Sequence, residues 1–186
     1  MIPAASTTAW ALHDLGLATS LGGNLYGRMA MHPAVRTVSD PYERGELVHD
    51  AWRRFNRVNL LSHVVFASTW LVGRRMLSGR SIDRRTRILV GIKDALIATS
   101  LISGITSIIA GERGIRDPRT GQPAPIDESG NVDARESRRA KVAERITKGA
   151  GIFNLLTLAG IIGITATLAM KAGTSARWSL VSRRLP

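Results

Sequence analysis

The stretch from Ala150 to Met170, AGIFNLLTLAGIIGITATLAM, decides the fold. It carries no charge and offers water only Asn154, Thr157, Thr165 and Thr167. A helix on a soluble bundle needs a polar stripe. This segment has none, and it is about as long as the roughly 20 apolar residues that cross a hydrocarbon core of about 30 Å. It predicts a helix in lipid.

Three further segments approach the same criterion. Ile88 to Gly111 forms a third span, after a tight Ser78-Gly79-Arg80 turn and a basic lead-in from Ser81 to Arg87. Val58 to Leu77 forms a second, whose apolar part, Val58 to Val72, is short but extended upstream by Tyr42 to Arg57. Ser39-Asp40-Pro41 places a capping side chain before a proline suited to the first turn, with Glu43 and Glu46 near the positive end of the helix dipole. One helix from Pro41 to Leu77 follows, with wet first turns carrying Leu47, Val48, Trp52 and Phe55 at helical spacing. Thr7 to Met31 forms the first span, and His32-Pro33 is expected to close it, because proline disfavours helix in the residue before it.

The fourth span is fed by a charged helical stretch over 134–149, where Glu136/Arg139 and Glu144/Lys148 have the spacing of helical ion pairs. Residues 112–133, rich in Gly, Pro, Asp and Asn, read as an irregular loop long enough to be functional or mobile. The expected fold is therefore all-α: an integral membrane four-helix bundle in one domain, with helices two and four extended beyond the bilayer. No internal repeat is evident.

Composition conceals this. A mean hydropathy of +0.02 over 186 residues, 44% hydrophobic, averages charge-free spans with segments dense in arginine. The net charge of +12 raises the question of a nucleic-acid partner. The basic residues flank apolar spans instead of lining one face, three Phe, four Trp and two Tyr offer few stacking platforms, and no nucleic-acid signature appears. The expected partners are the bilayer, including its anionic lipids, and other membrane subunits. The absence of cysteine excludes disulfides and thiolate chemistry. Met1 to Thr8 lacks the positive region of a secretory signal, so the first span is expected to stay in the mature protein.

With four spans, the turn carrying Arg74, Arg75, Arg80, Arg84, Arg85 and Arg87 lies on the side of both termini, where Lys171, Arg177, Arg183 and Arg184 add charge. The positive-inside rule then puts both termini in the cytoplasm of a multi-pass protein. Small residues four apart, Thr19/Gly23/Gly27 and Ser103/Ser107/Gly111, supply helix-packing faces, read here as intramolecular.

Ionisable groups at membrane depth are functional candidates. His13 and Asp14 in span one, and Lys93 and Asp94 in span three, lie at matching depths about 6 to 10 Å below the cytoplasmic surface. They suggest salt bridges Asp14–Lys93 and His13–Asp94, serving either helix register or a proton relay. A second polar layer near the opposite face comprises Asn24, Arg28, Asn59, His63 and Asn154, read as interhelical hydrogen bonding.

The thirteen residues between His49 and His63 resemble the ligand spacing of membrane b-type cytochromes. Two haems need a second matching pair, and His13 and His32 would stand about 28 Å apart along a helix against about 21 Å for the first pair. His49-Asp50 resembles the dipeptide of a class of metal-dependent phosphohydrolases, whose other ligands would here have to come from the bilayer. No cofactor or metal is expected, and no nucleotide loop, nucleophile elbow or zinc-protease motif is present. The expected function is a small non-enzymatic membrane protein acting through helix–helix contacts, as an accessory or structural subunit of a larger complex. A transporter or proton-conducting bundle using His13, Lys93 and Asp94 is the alternative.

Overall fold

The computed structural model describes residues 3–77, 83–116, 120–133 and 135–182, and side chains within 8–74, 83–116, 120–133 and 135–171. The expected Ser78-Gly79-Arg80 turn and the arginines at 183 and 184 lie outside the described residues.

The chain is all-helical. Four long helices, α1 (Pro3–Tyr26), α3 (Pro41–Leu77), α4 (Arg84–Ile109) and α5 (Arg138–Ser182), are joined by a one-turn α2 (His32–Val35), π turns at Gly27–Met31 and Ala110–Gly114, and an irregular segment before α5. Among the described residues the only extended pairing is two isolated bridges, Arg116 with Pro123 and Ile126 with Val132.

Local chemistry sets the helix ends. Asp40 Oδ1 accepts from the Tyr42 and Glu43 amides at 2.7 and 3.4 Å, so α3 runs unbroken through its wet and apolar halves. Asp83 caps α4 by accepting from the Thr86 amide, and Ser137 Oγ accepts from the Ala140 amide at the start of α5. That cap leaves Glu136 outside the helix, so the expected Glu136–Arg139 pair does not form. Arg139 donates to the Arg113 carbonyl instead, while Glu144–Lys148 forms at 2.6 Å. The helix also does not stop at His32-Pro33. The π turn, whose bond runs from the His32 amide back to the Gly27 carbonyl, widens the backbone ahead of the proline, and α2 continues to Val35.

Antiparallel pairs α1/α3 and α4/α5 make up the bundle. Glycines set the first contact: a Cβ on Gly16 would come 2.9 Å from the Ser62 carbonyl, and Cβ atoms on Gly23 and Gly27 would overlap the rings of Phe55 and Trp52. In the second pair, Ser107 Oγ donates to the Thr147 carbonyl and Gly111 faces the Thr147 side chain. The small-residue faces therefore pack within the molecule. Leu17, Phe66, Trp70, Ile97, Leu158 and Ile161 fill a compact apolar core.

Residues 115–116 and 120–133 fold back as a cap. Ala124, Val132 and Ala140 form a small second core with Ile115 against it. The buried Arg44 donates to the carbonyls of Val38, Ser39 and Ile126, and the Ile126 amide donates to the Pro41 carbonyl. Gly45 lets the Ala124 carbonyl approach α3 so closely that a Cβ there would come within 2.4 Å.

Among the described residues, two helices are by length and composition apolar enough to cross a membrane: Arg84–Gly114, mean hydropathy 1.7, and Arg138–Lys171, mean hydropathy 1.9. Only 22% and 33% of their most apolar windows are buried.

Candidate functional site

All four long helices turn polar side chains inward, at two levels separated by the apolar core. At the first level Lys93 is wholly buried. Its Nζ lies 2.9 Å from His13 Nε2 and 3.9 Å from the centre of the Trp70 ring. His13 Nδ1 sits 2.8 Å from the Phe66 carbonyl. A carbonyl only accepts, so Nδ1 carries the proton and Nε2 accepts from Lys93. Asp94 turns to α3, accepting from Trp70 Nε1 at 2.8 Å and pairing with Arg74 at 2.5 Å.

Neither expected pairing forms at this level. His13 meets Lys93, not Asp94, and Asp14 is exposed, with no hydrogen bond or ion pair among the described residues. Successive residues on a helix point about 100° apart. Neighbours on one helix therefore cannot both face neighbours on another, and that rule was available from sequence.

The second level is a hydrogen-bonded hub. His63 Nδ1 donates to the Asn59 carbonyl at 2.8 Å and lies 3.3 Å from Ser20 Oγ, while Nε2 accepts from Ser100 Oγ at 3.0 Å. Asn154 Nδ2 reaches the Ser100 carbonyl at 2.7 Å, Ser100 Oγ at 3.1 Å and Ser103 Oγ at 3.2 Å. Asn24 donates to the Ser20 carbonyl. Four of the five residues expected in this layer, Asn24, Asn59, His63 and Asn154, are buried at or beside the hub. The fifth, Arg28, lies further out, against Gly151. Sequence reasoning missed Ser20, Ser100, Trp70 and Arg74. Serines are too common in helices to single out, and Trp70 reads as plain core until its indole N–H is placed.

Beyond the hub a cleft of about 410 Å³ opens between the bundle and the cap, lined by Asn24, Arg28, His32, His49, Trp52, Asn59, Thr147 and Asn154 among others. His32 Nε2 accepts from Trp52 Nε1 at 3.0 Å. His49 Nε2 faces the Arg116 guanidinium, 2.7 Å from Nη2 and 3.2 Å from Nε. Burial first, then the adjoining cations, hold both imidazoles below their ordinary pKa. For His49 the leading cation is Arg116, and for His32 it is Arg28 followed by Lys148 and Arg36.

Comparison with protein-family models, curated proteins and solved structures found no match. Function therefore rests on the chemistry of the chain itself. Among the described residues no group of three His, Asp or Glu is placed to hold a metal ion. The two histidines with cytochrome-like spacing are committed separately, His49 to Arg116 and His63 to the hub.

Proposed function

We propose that this chain is a non-enzymatic, multi-pass integral membrane protein of four spans that acts through helix–helix contact, as an accessory or structural subunit of a larger assembly. One observation carries the reading: beside its apolar core the bundle buries polar and charged side chains, while large apolar side chains cover its exterior. Lys93 is 0% and Asn154 2% exposed, while Leu15, Ile102 and Leu156 are 63%, 67% and 65% exposed. Water favours the opposite arrangement. Lipid favours this one, because apolar surface costs nothing there and interior polar groups bond across helices.

The inversion extends to α1 and α3, where Leu12, Leu25, Leu61 and Val64 are exposed, which supports four spans. Positive charge around Arg74, Arg84, Arg85 and Arg87 supports cytoplasmic termini. Partner contact draws support from Gly22, Gly91 and Gly163, beyond each of which there is open space where a Cβ would stand. The wet cap and the basic ends suit an anionic lipid surface.

A proton-conducting bundle draws on the His13–Lys93 contact. The apolar cluster of Leu17, Phe66, Ile97, Leu158 and Ile161 packed between the two polar levels weighs against a continuous path.

The test is extraction of native membranes with alkaline carbonate, then solubilisation in mild detergent. The chain is expected to stay in the pellet and then co-purify with other subunits. Release by carbonate would overturn the membrane reading, and a lone stable monomer would overturn the accessory reading. Proton flux into liposomes that is lost in Lys93→Met would favour conduction.

A further inference from the structure

The cleft beneath the cap contains an unusual set of unmet bonds. Four buried side-chain atoms lack a hydrogen-bond partner among the described residues: Arg28 Nε, Asn59 Oδ1, Thr147 Oγ1 and Asn154 Oδ1. All four residues line this one cleft. Buried polar groups left unpaired are costly, and their convergence marks a place where something polar belongs.

The identity of the atoms narrows the ligand. Asn154 Nδ2 donates to the Ser100 carbonyl, which fixes the amide orientation and leaves Oδ1 as an acceptor awaiting a donor. Thr19, Thr165 and Thr167 return their hydroxyls to their own helix carbonyls, but Thr147, which lines the cleft, has a buried hydroxyl without such a bond. Arg28 makes no hydrogen bond or ion pair among the described residues, and its guanidinium lies against α5 only because position 151 is glycine. A Cβ there would come 2.0 Å from Arg28 Nη2. Positive charge exceeds negative along the lining: with Lys148 paired to Glu144 and Arg53 to Asp50, Arg28 and Arg36 stand against Glu112. A bare anion would satisfy Arg28 and not the amide acceptor, and a plain alcohol the reverse.

We propose that this cleft binds a phosphate group bearing neighbouring hydroxyls, of the glycerol phosphate class, with the phosphate on Arg28 and Thr147 and the hydroxyls on Asn154 and Asn59. This goes beyond helix–helix contact. It has two sources, the headgroup of an anionic glycerolipid or a soluble phosphate ester, and only the lipid source rests on the membrane reading. The volume of about 410 Å³ accommodates such a group, and the exposed Met29 and Ile152, one residue from Arg28 and Gly151 respectively, give an acyl chain an apolar path outside.

The experiment uses the full chain, delipidated in mild detergent. It is titrated with phosphatidylglycerol, with phosphatidylcholine of the same chains, and with glycerol phosphate alone. Native mass spectrometry counts bound molecules, and the unfolding temperature reports linkage. Phosphatidylglycerol is expected to bind one-to-one and raise the unfolding temperature, and phosphatidylcholine, which has the phosphate but no hydroxyl, to bind at least tenfold more weakly. Competition by glycerol phosphate indicates headgroup recognition, and binding of glycerol phosphate without the lipid indicates the soluble source. Either outcome supports the site.

Arg28→Met should weaken binding by roughly 10- to 100-fold, the loss of charge-assisted bonds, without lowering the unfolding temperature of the free protein. Gly151→Ala, which displaces the guanidinium and keeps its charge, should weaken binding in the same direction. Equal binding of the two lipids, no binding of any probe, or wild-type affinity in Arg28→Met would overturn the proposal. Should the chain prove soluble without detergent, the membrane reading fails and the glycerol phosphate titration alone decides this one.

Discussion

Lys93 and Asp94 are adjacent in sequence yet serve different neighbours, and their substitutions should differ accordingly. Lys93→Met removes a buried cation together with its bond to His13, so the freed histidine offsets the relieved desolvation and stability should change by less than about 1 kcal/mol. Asp94→Asn keeps an acceptor for the Trp70 indole and loses only the partly exposed Arg74 pair, a cost of about 0.5 kcal/mol. Asp94→Leu orphans the indole N–H and should cost about 1 to 3 kcal/mol. Thermal unfolding in one detergent would rank the three, and equal effects of Asn and Leu would refute the Trp70 contact. His49 and His32 each use Nε2 as an acceptor, which requires the neutral ring. Their pKa values are lowered in the folded state, so the unfolded chain takes up protons first as pH falls. Cap stability is then complete above about pH 6.5 and declines below it. Hydrogen-exchange protection of residues 120–133, taken relative to the intrinsic exchange rate at each pH, should fall from pH 7 to pH 5, and the His32→Gln/His49→Gln double variant should flatten that response.

Among the elements, the cap depends on two residues of the first turns of α3. Arg44 binds three carbonyls and Gly45 admits the close approach of the Ala124 carbonyl. Arg44→Met should destabilise the cap by about 2 kcal/mol, and Gly45→Ala should push the Ala124 segment off the helix. Both should expose residues 120–133 to protease while the α4/α5 contact, read as protection of the α5 amides, is unchanged. Loss of protection in α5 as well would mean that cap and bundle unfold as one unit. Outward-facing glycines behave oppositely. Nothing lies within 4 Å of a Cβ at Gly91 or Gly163, so leucine at either should leave the isolated protein as stable or more so, since glycine is the poorer helix former. If these faces meet partner helices, co-purification should fall sharply in the same variants.

For the whole molecule, the consequence of polar layers held inside an apolar exterior is an uneven distribution of stability. The hub ties all four long helices through His63, Ser100, Asn154 and Ser20, whereas the cap rests on a few bonds at one end. Hydrogen exchange should therefore show the cap opening at lower free energy than the bundle. A single cooperative opening of both would contradict that division.

Periodicity and charge placement in the sequence determined the four long helices, the unbroken run from Pro41 to Leu77 and part of the inner polar levels: His13, Lys93 and Asp94 at one, and Asn24, Asn59, His63 and Asn154 at the other. These are local or additive properties: a capped start, the absence of a polar stripe, a charge in an apolar run. The small-residue faces were also legible, because close approach of backbones leaves few residue choices. Only the tertiary structure decided that His13 meets Lys93 while Asp94 meets Trp70, that the helix passes Pro33 on a π turn, that residues 120–133 form a cap, and that the residues of four unmet polar atoms line one cleft. Each depends on the rotation of one helix against another or on a segment returning over a long chain separation, and such angles and closures are set by packing across the whole molecule, not by any window of sequence.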